Sequence, residues 1–286
     1  MGKMIYSIAD LSIGMELPFD LDISKESDRF LRSESASCEE QIKLIPVDVL
    51  PAMPDFGMWH QDRYYVGTDE GELFYIRSSP GEAPYAMIEY YNDQPVRITY
   101  LCDSKDMSPQ SRYLLNMLGL EALLLRHDGL ILHSSFVRWN GRGILFSAPS
   151  GTGKSTQASL WEKHMGAQIL NGDRAGIRCV NGVWRAYGLP YAGSSHIFHN
   201  ESAPIHAIVI LRQNSRNVLR RMKDSEALRA LLPEFSAHRW NAAFMNKVLD
   251  IAAAAVQDIP VYCLACRPDQ EAVQLLHNKL IEEAII

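Results

Sequence analysis

A short segment, residues 144–156, constrains the fold of this chain more than any other, because it joins an apolar run to a glycine-rich loop and then to a helix-forming sequence. The loop glycines, Gly151 and Gly153, allow the backbone to curl so that successive N–H groups point at one anion, and the following helix adds its positive N-terminal end. Lys154 can then reach the β- and γ-phosphates of a nucleotide, and the Ser155 hydroxyl can ligate Mg²⁺. The pattern predicts a nucleoside triphosphate site, with ATP and Mg²⁺ as its ligands.

The loop departs from the strict pattern G-x-x-x-x-G-K-[ST] at one position, where Ala148 stands in place of the first glycine. The difference is one methyl group, and the flanking strand and helix are those that the motif requires. The alternative is a glycine-rich turn that matches by chance. The residues expected to bind the nucleotide are Ser150, Gly151, Thr152, Gly153, Lys154, Ser155 and Thr156.

The composition is that of a globular protein, with 47% hydrophobic and 22% charged residues in a chain of 286. A chain of this length holds one large domain or two modest ones. The net charge of −6 argues against a nucleic-acid partner, and the absence of an apolar run long enough to span a bilayer argues against a membrane partner. Five cysteines fit a reducing compartment better than a disulfide framework, which predicts a cytoplasmic protein.

Turn signals and hydrophobic patterns divide the chain into two parts. Residues 1–104 carry short aromatic and β-branched runs between turns, which predicts a small, mostly antiparallel β domain. Ser108 and Pro109 are typical of a helix start, and the helix that follows to about Arg126 is expected to bridge the two parts. Residues 105–286 alternate strands and helices, so we expect an α/β domain there and an α+β chain overall. The strands predicted in the first part are 41–47, 63–66, 72–77, 85–91 and 96–102.

Two further side chains are candidates for chemistry. Asp173 lies 19 residues after Lys154, a spacing that accommodates one helix, a turn and a strand. At the end of that strand Asp173 and Ser155 would face the same cation, and a carboxylate with hydroxyl and phosphate oxygens suits Mg²⁺. The alternative is that Asp173 merely starts the turn at residues 172–174. His133 lies on the strand before the loop strand, where a lone histidine is more often a hydrogen-bonded core residue than a catalyst.

A run of basic residues lies within the predicted α/β domain: Arg212, Arg216, Arg220, Arg221 and Lys223. Such a run is usually a solvated loop and helix face. The alternative is a surface that grips an acidic peptide or the phosphates of a nucleotide.

The ordered set of residues 132–134, the loop at 148–156, residues 172–173 and residues 187–189 resembles the catalytic domain of HPr kinase/phosphorylase and its stand-alone relatives. The resemblance covers roughly residues 125–215 and implies the fold shared with phosphoenolpyruvate carboxykinase. In that family the histidine before the loop lies in the active site, the loop binds ATP, and an acidic pair after the first helix serves metal binding and proton abstraction.

Carried over by position, these catalytic roles fall on His133, Lys154 and Asp173. Because a tight Mg²⁺ ligand is a poor free base, the metal role is given to Asp173 with Ser155, and the role of base or orienter to His133. Two positions differ from the family pattern, where Gly172 and Arg185 replace acidic residues. These differences indicate an altered acceptor site.

The resemblance implies an ATP-dependent kinase that transfers the γ-phosphoryl group to a hydroxyl, above all a serine, of a peptide, small protein or small molecule. The alternative is a nucleotide-binding regulator or scaffold with weak or no phosphotransfer. HPr kinases form oligomers, so the resemblance also implies a homo-oligomer for this chain.

Overall fold

The structure, a computed structural model, describes residues 2–20, 22, 25–32, 37–68, 71–91, 94–107, 110, 114–115, 117–191 and 193–284. The chain divides into two compact units, Met1–Leu120 and Glu121–Ile286. The boundary expected at residues 104–105 lies inside the first unit, because the following segment contacts that unit. The Leu118 carbonyl accepts a hydrogen bond from the Tyr90 hydroxyl, and Gln110 forms an isolated bridge with Asp22.

The first unit is built on one nine-stranded sheet and a single-turn helix, α1 (Lys25–Asp28). Its strands are β1 (Gly2–Ile8), β2 (Leu11–Leu17), β3 (Leu31–Arg32), β4 (Glu40–Val47), β5 (Met58–His60), β6 (Arg63–Thr68), β7 (Gly71–Ile76), β8 (Ala86–Tyr91) and β9 (Val96–Leu101). The order across the sheet is β3-β1-β2-β4-β9-β8-β7-β6-β5. Strand β4 is parallel to both of its neighbours, β2 and β9, and the other pairs are antiparallel. The five strands predicted from the sequence are β4 and β6–β9.

The hairpin of β1 and β2 was missed by the sequence prediction. Its turn residues, Ala9 and Asp10, both have left-handed backbone angles, with φ of 53° and 60°. Hairpin turns of this kind usually carry Asn-Gly or Asp-Gly, and neither dipeptide is present here. The turn is stabilised by the strands on both sides, whose apolar residues Ile5, Ile8 and Leu11 are fully buried.

The second unit contains an eight-stranded sheet. Its strands are β10 (Gly129–Trp139), β11 (Arg142–Ser147), β12 (Gln168–Asn171), β13 (Arg174–Val180), β14 (Val183–Gly188), β15 (Ser202–Gln213), β16 (Val218–Arg221) and β17 (Val261–Cys266). The helices are α2 (Leu120–Arg126), α3 (Lys154–Met165), α4 (Asp224–Leu231), α5 (Ala242–Asp258) and α6 (Gln270–Ala284). The strand order is β11-β10-β13-β14-β15-β17-β16, with β12 beside β10 and a further pairing of β11 with β15.

Three strands of this sheet run parallel and therefore end at the same edge. Strand β15 is parallel to both β11 and β17. The glycine-rich loop follows Ser147 at the carboxyl end of β11, beside Arg212 and Gln213 at the end of β15. Carboxyl edges of parallel strands are where α/β proteins collect ligand-binding groups. Helix α3 packs over the sheet through Trp161, which is fully buried in a hydrophobic core cluster with strand residues of β10, β11, β15 and β17.

The helix expected from Ser108 to Arg126 is interrupted. Ser108 and Pro109 lie outside the described residues, and Gly119 adopts a left-handed φ of 63° directly before α2 begins at Leu120. Because only glycine enters this region at little cost, Gly119 separates α2 from the residues before it.

Among the described helices, none combines the length and the apolarity that crossing a membrane would demand.

Candidate active site

The loop between β11 and α3 has the backbone shape that an anion site needs. Gly151 and Gly153 have φ of 77° and 117°, and a Cβ built on either would meet nothing within 4 Å. Glycine is required at these positions by backbone conformation, therefore, and not by crowding. Gly153 caps helix α3 without a side-chain hydrogen bond, so the first turn presents its N–H groups toward the loop. Ser155 and Thr156 are exposed on that turn.

Lys154 is held inside the loop. Its side chain is only 7% exposed, and Nζ donates hydrogen bonds to the carbonyl oxygens of Ala148 at 2.7 Å and Pro149 at 3.3 Å. Burial lowers the pKa of Lys154, while the nearby carboxylates of Glu234 and Asp173 act in the opposite direction. Since Ala148 contributes its backbone carbonyl to this contact, its methyl group does not prevent the loop from placing the lysine.

Two cavities flank the loop. One, of about 640 Å³, lies between the loop and a surface that includes Arg212, Arg229 and Glu234. The other, of about 540 Å³, lies between the loop and Gln157 with Arg267. Both volumes are within the range of small-molecule sites. The loop therefore has room for a ligand on either side.

The turn that carries Asp173 is organised by a different residue, Asn171. The Asn171 side chain is fully buried, and its Oδ1 atom accepts hydrogen bonds from the backbone N–H groups of Asp173 at 2.9 Å and Arg174 at 3.0 Å. Its Nδ2 atom donates to the carbonyls of Leu189 and Tyr191, both at 2.9 Å. The turn is thus held without the Asp173 carboxylate. This observation weakens the alternative that Asp173 is present only to start a turn.

His133 lies between two carboxylates. Its Nδ1 atom is 3.0 Å from Glu234 Oε2, a hydrogen-bond distance, and its Nε2 atom is 3.8 Å from Asp173 Oδ1, which is too long for one. An ionised carboxylate only accepts hydrogen bonds, so the contact with Glu234 assigns the proton to Nδ1. The lone pair of Nε2 then faces the side of the site where Asp173 lies. In this tautomer Nε2 is the ring atom that is left to accept a proton.

Backbone contacts hold the histidine and Glu234 side by side. Leu132 on β10 forms an antiparallel bridge with Phe235, and the Ser236 N–H donates to the Ile131 carbonyl at 2.9 Å. The Ser147 hydroxyl at the end of β11 donates to the His133 carbonyl at 3.0 Å. The strand end that begins the glycine-rich loop is therefore fixed to the strand that carries the histidine.

Ser155 and Asp173 suit an ion that is shared with phosphate oxygens. Ser155 is exposed, and the Asp173 side chain is 33% exposed, so the serine hydroxyl and the aspartate carboxylate are both accessible to a ligand. Within the described ranges, no group of three or more His, Cys, Asp or Glu side chains could hold a metal ion by itself. Mg²⁺ in nucleotide enzymes is typically bound by one or two protein oxygens together with substrate phosphates and water, and this donor set fits that pattern.

The position before Asp173 has no space for a side chain. A Cβ on Gly172 would overlap the Ser195 hydroxyl, and Gly193, at a left-handed φ of 52°, lies against the Asp173 side chain. The short helical turn Gly193–Ser195 therefore takes the place that a second carboxylate would need.

The structure brings His133 within 3.8 Å of Asp173 and places Lys154 near enough for Asp173 to influence its pKa, with Ser150–Thr156 forming the loop and first helical turn. Sequence reasoning missed Glu234, which lies 101 residues after His133 and has no local pattern around it. The basic run divides: Arg212 lines both cavities beside the loop, whereas Arg220 and Arg221 lie on strand β16.

Together these observations define a mixed α/β protein with two sheets and a glycine-rich loop at the carboxyl edge of parallel strands. The family model described as SynChlorMet cassette protein ScmC matches residues 100–269, more than half of the chain. The chain therefore belongs to the ScmC family.

A solved structure with some similarity is that of the HPr(Ser) kinase/phosphatase from Coxiella burnetii. The two are 13% identical, and the match covers 54% of this chain and 89% of that chain with a TM-score of 0.31. A likeness this distant carries no argument about activity. No curated protein matches the chain.

Proposed function

We propose that this protein is an ATP-dependent phosphotransferase that moves the γ-phosphoryl group to a hydroxyl of a peptide, small protein or small molecule. The observation that carries the proposal is His133, hydrogen-bonded to Glu234 and facing Asp173, beside a glycine-rich loop that holds Lys154. A loop that binds phosphate needs no such histidine. A phosphotransferase that acts on a hydroxyl can use a proton acceptor at this place, because the hydroxyl loses its proton during transfer.

Phosphate binding is assigned to the loop amides and Lys154. The lysine hydrogen-bonds to loop carbonyls, and a bound nucleotide would draw its ammonium group from them toward the β- and γ-phosphates. Ser155 and Asp173 would hold Mg²⁺ together with the phosphate oxygens, and the ion supplies neutralisation of the developing charge. Burial strengthens the attraction between Lys154 and phosphate, because little water competes there.

The proton of the acceptor passes to His133. The acceptor oxygen forms a bond to the γ-phosphorus, the bond from that phosphorus to the β,γ-bridging oxygen breaks, and ADP leaves with the electron pair. The hydroxyl proton moves to Nε2, and the carboxylate of Glu234 stabilises the imidazolium at Nδ1. Such proton transfer typically contributes about 10²- to 10⁴-fold in rate.

The cavity beside Glu234 is the proposed place of the acceptor. It is lined by the loop and by Arg212 and Arg229, so the exposed charged side chains of its lining are positive. Arginine binds carboxylates in a bidentate manner. This favours an acceptor hydroxyl that is flanked by acidic groups, as in an acidic peptide.

The test is acceptor-dependent ADP release by the full chain, measured with Mg²⁺ and a panel of serine-containing acidic peptides. His133→Ala is expected to abolish transfer while the affinity for ATP stays within about twofold of the unsubstituted protein. The reason is that the described contacts of the His133 side chain are with Glu234 and Asp173 and not with the loop. Retained turnover in this variant would contradict the role of the histidine. ADP release that no acceptor stimulates would contradict the kinase assignment.

A second candidate is a nucleotide-binding regulator. The observation in its favour is Gly172, where the turn at Gly193–Ser195 occupies the space of a second carboxylate. It predicts ATP binding with negligible turnover, and binding to a partner protein that depends on the nucleotide. Pull-down experiments with and without ATP, run beside the turnover assay, distinguish the two functions.

A further inference from the structure

A third cavity in the second unit lies far from the glycine-rich loop. It has a volume of about 540 Å³ and is lined by Arg142, Ile205, His206, Arg221, Pro260, Lys279 and Glu283. Arg142 is the first residue of β11, and Pro260 directly precedes β17. The cavity therefore lies at the amino-terminal ends of the strands whose carboxyl ends carry the loop. The six residues of β11 separate the two places by about 20 Å.

The lining is positively charged in a chain whose net charge is −6. It contains the cations of Arg142, Arg221 and Lys279 against the single carboxylate of Glu283. Clustered charge of one sign in a concave surface focuses the local field and raises the concentration of the opposite ion. The cavity is thus a place where an acidic protein attracts anions.

Glu283 is shared by several donors and does not neutralise the cavity. Its carboxylate oxygens lie 3.5 Å from Arg221 Nη1 and 3.4 Å from Lys279 Nζ, and it also accepts a hydrogen bond from the Tyr262 hydroxyl. Burial acts to raise the pKa of Glu283, but the hydrogen bonds from Tyr262 and Lys279 outweigh it and lower the pKa. The Glu283 carboxylate is therefore divided between two cations, of which Lys279 also lies 3.8 Å from Glu282 Oε2.

Arg142 and His206 are the two polar lining residues that take no part in these contacts with Glu283. Within the described part of the chain, Arg142 forms no ion pair, and the buried Nδ1 atom of His206 has no hydrogen-bond partner. The two side chains are near enough for the Arg142 charge to add to burial in lowering the pKa of His206. A buried polar atom without a partner costs free energy, so the ring of His206 is held in the cavity wall at a cost that its hydrogen bonds do not offset.

We propose that this cavity is a second anion site, which binds the phosphoryl group of a small phosphorylated molecule through Arg142, His206, Arg221 and Lys279. Arginine is suited to phosphate because its planar fork donates two parallel hydrogen bonds, and lysine adds a point charge. The volume accommodates a small metabolite with one or two phosphates. The site is independent of the function proposed for the loop.

The experiment uses inorganic phosphate as the probe and the ring signals of His206 as the readout, followed by NMR in the full chain. The chain carries Lys154→Ala so that the loop contributes little phosphate binding, and His206→Gln assigns the signals. Phosphate is expected to move the His206 signals along a saturable curve, whereas sodium chloride of equal ionic strength leaves them in place. Equal movement with chloride, or movement that does not saturate, would overturn the proposal.

Two variants locate the binding. Arg142→Gln is expected to weaken phosphate binding at least tenfold. Lys279→Gln is expected to weaken phosphate binding as well, and it tests a cation on helix α6 instead of strand β11. Arg216→Gln is the matched control, because it removes the same charge from an exposed arginine outside the cavity lining. Undiminished binding in both cavity variants would contradict the site. Saturation by a short polyglutamate peptide at a lower concentration than phosphate would also contradict it, since the occupant would then be an acidic polypeptide.

Discussion

Glu234 Oε2 lies 3.0 Å from Nδ1 of His133, although the two residues are 101 positions apart in the chain. Glu234 ends the short helical turn Leu232–Glu234 after helix α4, and His133 lies within strand β10. The Glu234 side chain is 12% exposed, so its charge is largely shielded from water. A carboxylate in this position fixes the tautomer of the ring and stabilises its protonated form.

Replacing Glu234 with Gln is expected to lower kcat by about 10²-fold with little change in KM, because an amide orients the ring but does not stabilise the imidazolium. The measurement is steady-state ADP release with a working acceptor as a function of pH. A positioning role predicts that the pH profile of kcat also moves. The exposed Glu162 on helix α3 supplies the control, Glu162→Gln, which should behave as the unsubstituted protein. An unchanged profile in Glu234→Gln would show that this carboxylate is structural.

Lys154→Met is expected to weaken ATP binding at least tenfold, because the buried ammonium group is the charge nearest to the proposed phosphate position. Lys163→Met on the same helix removes an exposed lysine and serves as the matched control. Isothermal titration calorimetry with a non-hydrolysable ATP analogue and Mg²⁺ measures both. Equal affinities in the two variants would argue against a nucleotide site at this loop.

Asp173→Ala and Asn171→Ala separate a functional from a structural residue on the same turn. Asn171→Ala loses four hydrogen bonds of a buried amide and is expected to cost about 2–4 kcal/mol of unfolding free energy. Asp173→Ala should change stability by about 0.5 kcal/mol or less and still abolish phosphotransfer, because its carboxylate does not hold the turn. Urea denaturation and the ADP assay give the two readouts. A large loss of stability in Asp173→Ala would restore the interpretation of Asp173 as a turn residue.

Glu283 makes the stability of the folded chain depend on pH. Its pKa is lowered below the usual 4.5, so the folded state binds this proton less tightly than the unfolded state does. The resulting stabilisation is present above the pKa that Glu283 has in the unfolded state, and it is lost as the pH falls through the pKa that Glu283 has in the folded state. Thermal unfolding of Glu283→Gln at pH 7 and at pH 4 should therefore show a smaller drop in Tm than the unsubstituted chain. An equal drop in both proteins would contradict this contribution.

Much of the second unit could be predicted because its signals are local. The turn at Asn140 and Gly141 carries the residues that left-handed hairpin turns prefer, and both have positive φ, 47° and 75°. Strand β16 gives no strand signal in the sequence because three of its four residues are exposed, so that this edge strand reads as part of a basic run. Its strand conformation depends on pairing with β17, which no local pattern encodes.

The sequence by itself determined the glycine-rich loop, since two positive φ angles, a lysine and a helix start are set by neighbouring residues. It also identified His133 and Asp173 as candidates through their order along the chain. Only the tertiary structure decided that Glu234 contacts the histidine and that Asn171 holds the turn. These decisions depend on strand pairing and burial between distant segments, and such contacts leave no periodic signal in the sequence.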